Sequence, residues 1–290
     1  MYVIIYRMQQ YVQLKAKDVS RRAITLEPTS TLGDARNTML RYNISRIVVA
    51  KGSKPVGIVT EKSIDSFLYK DIISRSLDEI RLDQAMQTNL ITVAEDTDIK
   101  TCAQLMLDSQ ISSLIVLDGN GNLAGIFTKT DLTEVYSKYY ESGNLVEDYM
   151  TAKVFTVVPS HSIHTVLATM VRNKISRIVV VRGQKPVGIV TTRDLLPISR
   201  LIEAEIVGMP SEVAMARRQT TPLFSGLSHV LLARDVMTRD PITVTGDSGL
   251  ADAAHLMVNN RISGFPVVDS DDNLIGIVTK TDVVRALAAN

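Results

Sequence analysis

The sequence predicts an α/β fold built from four copies of one strand–helix–strand–strand–helix unit. Residues 43–60 (NISRIVVAKGSKPVGIVT) and 174–191 (KISRIVVVRGQKPVGIVT) agree at 14 of 18 positions. Two weaker copies read ISSLIVLDGNGNLAGIFTKTD at 111–131 and ISGFPVVDSDDNLIGIVTKTD at 262–282. Self-similarity at this spacing indicates repeated structural units, so the repeat defines the fold before any single element does.

The fourth copy shows the elements of one unit in order. The run at 241–245 (PITVT) favours a short strand, and Leu250, Ala253, Ala254 and Met257 then have the spacing of one apolar helix face. Residues 265–268 predict a second strand, 269–273 a turn and 274–278 a third strand. Residues 279–289 predict a closing helix.

The same helix positions recur in the other copies. They are Ile163, Val166, Leu167 and Met170 in the third, Ile99, Cys102, Ala103 and Met106 in the second, and Leu32, Ala35 and Met39 in the first. Arg36 takes the remaining position in the first copy. Because Cys102 falls on the apolar face, we expect a small core residue rather than a reactive thiol.

The four copies form a duplicated pair. The first and third share a Gly-x-Lys-Pro turn, and the second and fourth share Asp-x-x-x-Asn-Leu. A unit of about 55 residues is marginal alone and leaves strand edges exposed, so we expect pairing into two modules, near 15–143 and 144–290. The predicted boundaries are an N-terminal segment at 1–16, units at 17–69, 81–140, 145–202 and 231–290, and a connection at 203–230. Connections of that length are often functional.

Composition excludes several classes of function. The chain has 290 residues, a net charge of +1, one cysteine, no tryptophan and 5% aromatic residues. These values disfavour a nucleic-acid stacking surface and a disulfide framework. No apolar run reaches membrane-spanning length, and the start of the chain lacks a secretory signal, so we expect a cytoplasmic protein.

One motif follows the last strand of each copy: Gly-hydrophobic-x-Thr-x-x-Asp. It occurs as Gly125/Thr128/Asp131, Gly188/Thr191/Asp194 and Gly276/Thr279/Asp282, whereas the first copy has Gly57 and Thr60 but Ser63 at the aspartate position. Thr-x-x-Asp has the pattern of a helix capping box. The same geometry suits a nucleotide, because a helix N-terminus and a hydroxyl can hold a phosphate while the carboxylate accepts two ribose hydroxyls. Both roles remain open.

With its Ile-Ser pair and Gly-Ile-Val-Thr-x-x-Asp ending, the repeat resembles the cystathionine-β-synthase (CBS) domain. Four copies cover about residues 17–288 and resemble two Bateman modules packed as a disk, as in the γ subunit of AMP-activated protein kinase. The resemblance implies adenosine-containing ligands in clefts between paired units. It implies that the aspartate binds the ribose hydroxyls and that the threonine binds the phosphate together with the arginine of Ile-Ser-Arg. The partner unit would supply the residues that surround the adenine.

The resemblance makes one cleft more complete than the others. It would combine Arg177, Thr191 and Asp194 of unit three with Thr238, Pro241, Ile242, Ile262 and Ser263 of unit four. A second cleft would combine Thr279, Lys280 and Asp282 with Thr151, Val154, Phe155, Ile175 and Ser176, and has Gly264 at the arginine position. A third would combine Thr128, Lys129 and Asp131 with Ser20, Ala23, Ile24, Ile44 and Ser45, and has Ser113 at that position. The fourth has Arg46 and Thr60 but lacks the carboxylate, so we expect weak, altered or no binding there.

The resemblance and the residues leave several functions to compare. No nucleophile–base set is legible, so we expect no enzyme activity and no catalytic cofactor, with an adenine nucleotide as regulatory ligand. The leading hypothesis is a sensor that signals energy or metabolite state to an unidentified protein partner. The alternatives are an interaction scaffold with vestigial clefts, or a sensor of S-adenosylmethionine or a dinucleoside polyphosphate.

Other features give weaker expectations. His161 and His164 share one helix face without a third ligand, so no metal site is expected. The apolar segment Val3–Ile5 is suited to packing on another chain, so a homodimer stays open. The sequence does not decide whether Arg217 and Arg218 face a phosphate or a protein partner.

Overall fold

A computed structural model describes residues 13–61, 63–64, 76–140, 143–195 and 231–289. Residues 1–12 and the 203–230 connection, with Val3, Arg217 and Arg218, lie outside these ranges, as does most of the link between units one and two. Within the described residues no helix combines the length and the apolar character needed to cross a membrane.

Each unit contains one small sheet. A short first strand lies parallel to the second, and the second and third strands form an antiparallel hairpin. The strands of units one and two are β1 Thr25–Leu26, β2 Arg46–Lys51, β3 Lys54–Thr60, β4 Thr92–Ala94, β5 Ser113–Leu117 and β6 Leu123–Thr128. Those of units three and four are β7 Thr156–Val157, β8 Arg177–Arg182, β9 Lys185–Thr191, β10 Thr238–Arg239, β11 Val244–Thr245, β12 Gly264–Val268 and β13 Leu274–Thr279.

Helices surround these sheets in a repeated order. The central helices are Leu32–Tyr42, Ile99–Asp108, Ile163–Arg172 and Leu250–Asn259, and the closing helices of units two and four are Lys129–Tyr139 and Lys280–Ala289. The closing helices of units one and three are described only at their first residues, from Glu61 and Thr192. The predicted order of strands and helices is confirmed. Each unit also begins with a four-residue opening helix that the sequence did not predict: Ala16–Val19, Leu82–Ala85, Val146–Tyr149 and Ala233–Val236.

The predicted apolar helix faces form the core. Every predicted position on the central helices is buried, and Arg36 is buried among them with 3% of its surface exposed. Cys102 is fully buried, and burial raises the pKa of its thiol to about 11. The prediction that Cys102 is a core residue is therefore confirmed.

The opening helices are exchanged within each pair of units. The Ala16 amide donates to Thr97 O at 2.8 Å in unit two, and the Leu82 amide of unit two donates to Ser30 O at 2.8 Å in unit one. In the second module the Val146 amide donates to Ser248 O at 2.9 Å, and the Ala233 amide to His161 O at 2.8 Å. This reciprocal exchange ties the two units of each module together.

Two hydrophobic cores join the modules. One contains buried residues of units one and three, such as Leu32, Ile47 and Val166, and the other contains buried residues of units two and four, such as Phe127 and Phe265. The exchanged helices connect unit one to two and unit three to four. The four units therefore form a closed cycle of contacts, in which the closing helices of units two and four pack against each other.

Candidate ligand-binding clefts

The segment after each opening helix crosses the last strand of the partner unit. Thr238 and Arg239 pair with Ile189 and Gly188 on β9, so β10 extends the sheet of unit three. The equivalent bridges join Arg21 to Ile126, Gln87 to Ile58 and Thr151 to Ile277. Because each last strand ends at the threonine of the motif, each crossing segment lies beside the partner's Thr-x-x-Asp or Thr-x-x-Ser turn.

The glycine of the motif makes this crossing possible. A Cβ atom on Gly276 would lie 2.5 Å from Met150 Sδ, and one on Gly125 would lie 2.9 Å from the carbonyl oxygen of Arg21. A side chain there would force Met150 or the backbone at Arg21 to move, so glycine permits the close approach of the partner unit.

The aspartates of the motif cap their helices. Asp194 Oδ2 accepts hydrogen bonds from Thr191 N at 2.7 Å and Thr191 Oγ1 at 2.8 Å, and Thr279/Asp282 and Thr128/Asp131 repeat this arrangement. The capping interpretation is confirmed at Thr128 and Asp131, where the bonds run in both directions. In unit one Ser63 Oγ accepts from Thr60 N at 2.8 Å, which replaces the backbone bond but supplies no charge.

The second carboxylate oxygen has different partners in the clefts of Asp131 and Asp282. Asp131 Oδ1 lies 2.8 Å from Arg21 Nε, and Arg21 also binds Glu134 at 2.8 Å. Asp282 Oδ1 lies 3.1 Å from Arg285 Nη1. Arg21 was not among the predicted site residues, although its neighbour Ser20 was.

The arginines of the Ile-Ser-Arg sequences lie between the two units of a pair. Arg177 is the cross-strand neighbour of Thr191, as predicted for one cleft, yet its guanidinium extends into the space beside Gly264 of unit four. Nη1 lies 2.5 Å from the point where a Cβ on Gly264 would be. Burial lowers the pKa of Arg177 to about 10, and the charge of Asp282 opposes that effect. Arg177 therefore borders both clefts of its module.

Arg46 repeats this placement in the first module. Its Nη1 donates to Ser112 O of unit two at 2.5 Å, and its Nη2 donates to Ser45 Oγ at 2.9 Å. Burial lowers its pKa to about 10, opposed by the charges of Glu61 and Asp131.

The Ile-Ser pairs anchor the starts of the closing helices in their own units. Ser176 O accepts from Thr192 N at 3.1 Å, and Ser263 O accepts from Lys280 N at 3.2 Å. Ser45 O accepts from Glu61 N at 3.0 Å in the same way. The isoleucines of these pairs, Ile44, Ile175 and Ile262, are partly buried against the cores.

Apolar side chains are exposed on the crossing segments of the second module. Ile242 of unit four is 43% exposed, and Phe155, its counterpart in unit three, is 39% exposed. Pro241 and Val154 precede them, while Ala23 and Ile24 take the same places in unit one. The fourth cleft has Leu90 and Ile91 there, which the sequence analysis did not identify. These positions offer an apolar surface next to each motif.

The lysines that follow Thr128 and Thr279 extend across the module interface. Lys129 Nζ donates to Thr281 Oγ1 at 3.1 Å, and Lys280 Nζ donates to Thr130 Oγ1 at 2.9 Å. Each ammonium group therefore lies at the helix start of the opposite module, whereas the sequence analysis assigned it to the cleft of its own unit. Burial lowers the pKa of both lysines to about 8.

Within the described ranges, no cluster of three or more histidine, cysteine, aspartate or glutamate residues could hold a metal ion. His161 Nδ1 accepts a hydrogen bond from Val158 N at 3.3 Å, so this nitrogen is engaged in a local turn.

Comparison with known proteins gives a consistent match along the chain. The family model of the CBS domain matches residues 16–70, 79–138, 146–199 and 233–289. Protein MJ1225 of Methanocaldococcus jannaschii is 26% identical over 284 residues, covering 93% of this chain and 96% of the relative. Its crystal structure, described as that of a candidate archaeal homologue of γ-AMPK, aligns with a TM-score of 0.79 at 25% identity and covers 94% of this chain and 99% of that one.

Two further relatives extend this comparison. A crystal structure of a conserved protein from Pyrococcus horikoshii aligns with a TM-score of 0.63 at 22% identity, over 94% of this chain and 100% of that one, which shows a likeness of fold. The chloroplastic CBS domain-containing protein CBSX1 of Arabidopsis thaliana is 25% identical over 233 residues, covering 77% of this chain and 95% of the relative.

Proposed function

Because the chain belongs to the CBS-domain family, we propose that it is a non-catalytic, cytoplasmic regulatory protein that binds adenosine-containing ligands in the clefts between its paired units. Ligand occupancy would report energy or metabolite state to a protein partner. Regulation of this kind requires a ligand that binds two arrangements of the units with different affinity.

The observation that carries the proposal is the crossing of each motif by the partner unit. It puts the Thr191/Asp194 turn beside the segment that holds Thr238 and Ile242, at a helix start that favours an anion. A ligand with a flat apolar base, a ribose and a polar or anionic tail matches those three surroundings. The exposed Ile242 side chain would be covered by the base, which supplies the apolar burial that such sites use.

The test is thermal unfolding with AMP, ADP, ATP, diadenosine tetraphosphate and S-adenosylmethionine, with GTP as the base control. A ligand at 100 times its Kd stabilises the protein by about 2.7 kcal/mol, which corresponds to roughly 5–10 °C. Asp194→Ala should reduce the shift caused by at least one of the adenosine compounds, the one that this cleft binds. Asp34→Ala is the matched control, because Asp34 accepts the same capping bond from Thr31 N at 2.9 Å on a central helix.

The two outcomes separate sensor from scaffold. If adenosine compounds cause shifts, and Asp194→Ala reduces at least one of them while Asp34→Ala leaves all unchanged, the sensor is supported. If ligand-free protein gives no shift with any of these compounds, the clefts are vestigial and the scaffold alternative takes its place.

A further inference from the structure

The first residues of the closing helices meet across both module interfaces, and their charges differ between the two. In the interface of units two and four, the residue after the motif threonine is Lys129, and it contacts Thr281 beside Asp282. In the interface of units one and three, the equivalent residue is Glu61, and it contacts Arg193 beside Asp194. The opposite module therefore places the cation of Lys129 near Asp282 and the anion of Glu61 near Asp194.

The interface of units two and four holds two ammonium groups that hydrogen-bond to hydroxyls. Lys129 donates to Thr281, and Lys280, which is 9% exposed, donates to Thr130. Within the described part of the chain neither lysine forms an ion pair. The charges of Asp282 and Asp131 only partly offset the cost of burying these ammonium groups, so this interface favours the arrival of a further negatively charged group.

The interface of units one and three is already neutralised. Arg193 Nε and Nη2 both lie 3.0 Å from Glu61 Oε1, and Arg193 also contacts Asn43. Glu61 is 8% exposed, and burial raises its pKa while the charges of Arg193 and Arg46 oppose that effect. The charge of Asp194 also acts on Glu61, which shows that the two carboxylates are close. Arg177 borders both clefts of its module, so what distinguishes the Asp194 cleft is this second carboxylate, which a bound phosphate would meet.

We propose that the clefts divide adenosine ligands by charge: the Asp282 cleft takes a phosphate-bearing nucleotide that Lys129 of the opposite module contacts, and the Asp194 cleft takes an adenosine without phosphate. This inference rests on the proposed function, because it assumes that the clefts bind adenosine compounds. It also makes nucleotide binding at Asp282 a contact between modules, since the base would lie on one module and the phosphate partner comes from the other.

The test is isothermal titration calorimetry with ADP and with adenosine, on wild type and two cleft variants. Asp282→Ala should remove the ADP site and retain the adenosine site, and Asp194→Ala should do the reverse. Lys129→Met should weaken ADP about 10- to 100-fold, the loss of one charge-assisted hydrogen bond, and leave adenosine unchanged. Lys51→Met, at the exposed end of β2, is the matched control for loss of one positive charge.

A second variant adds one of these contacts to the other interface. Glu61→Lys combined with Arg193→Thr gives units one and three the equivalent of the Lys129–Thr281 pair, so the number of ADP molecules bound should rise by one. This variant adds a site, so its result does not depend on whether the cleft variants fold. Lys129→Met removes a partly buried charge, so the unfolding temperature of that variant should not fall.

The results distinguish failure of the division by charge from failure of the proposed function. If wild type binds neither compound, the proposed function fails and the division by charge fails with it. If both bind, but Lys129→Met weakens ADP and adenosine equally, or Asp194→Ala removes the ADP site, the division by charge is wrong and the proposed function stands.

Discussion

Replacing Gly276 with alanine tests whether the crossing segments hold the paired units together. The new methyl carbon would lie 2.5 Å from Met150 Sδ, 3.2 Å from Met150 Cγ and 3.3 Å from Thr151 O. Carbon and sulfur atoms in contact are separated by about 3.5–4 Å, so the Met150 side chain must move by about 1 Å or more. Overpacking of this kind costs about 1–3 kcal/mol, or roughly 2–12 °C in unfolding temperature.

A double-mutant cycle isolates the contact. Met150→Ala removes Sδ and Cγ, after which the nearest recorded neighbour of the new methyl group is Thr151 O at 3.3 Å, a tight but tolerable distance. Gly276→Ala should therefore be less destabilising in the Met150→Ala background, with a coupling energy of about 0.5–3 kcal/mol from urea unfolding.

Gly119→Ala is the control for this cycle, because a Cβ on Gly119 meets nothing within 4 Å. It should be neutral or stabilising by about 0.4–1 kcal/mol, because alanine has fewer accessible conformations than glycine in the unfolded chain. Two results would contradict this reasoning: Gly276→Ala has the same effect as Gly119→Ala, or it destabilises equally with and without Met150. In either case the crossing segment is not the reason that the motif has a glycine.

Three further variants test the core, a buried charge and a cap. Phe265→Ala should destabilise by about 3–5 kcal/mol, because Phe265 is fully buried, whereas Phe155→Ala, at a side chain 39% exposed, should cost far less; similar losses by urea unfolding would contradict the assigned core. Burial lowers the pKa of Lys280 to about 8, so the unfolded chain binds more protons above that pH and stability should rise from about pH 8 to 10.5. Lys280→Met should be more stable than wild type at pH 7, with a gap that narrows by pH 10, and a gap independent of pH would refute this sign. Thr31→Ala should cost about 1 kcal/mol, because Thr31 Oγ1 accepts from Asp34 N at 3.1 Å at the helix start, and an unchanged unfolding temperature would contradict that role.

Much of the fold follows from local patterns. The spacing of Leu250, Ala253, Ala254 and Met257 predicts both the central helix of unit four and its buried face, and each residue is buried. The opening helices were missed because four residues, such as 16–19, are too few to show helical periodicity. The first strands are shorter than the runs that predict them: the run at 241–245 contains a strand only at Val244–Thr245.

The site was predictable in its motifs and less so in its contacts. Thr191 and Asp194 are close because they are one helical turn apart, which sequence spacing fixes. Arg21 binds Asp131 over 110 positions of the chain, and no periodic pattern indicates such a pair. The side chain of Arg177 extends toward unit four because residue 264 is a glycine, which leaves space that only packed strands define.

By itself, the sequence determined the repeat, the elements of each unit and the threonine–aspartate turn, because these depend on neighbours a few residues apart. Only the tertiary structure decided which units share a core and what reaches each cleft from the opposite module. Lys129 meets Thr281, and Glu61 meets Arg193, at separations of 152 and 132 residues. The physical reason is that the side chains at the starts of the closing helices become neighbours only after two modules bury a common apolar surface. The charge of each cleft is therefore a property of the assembled modules.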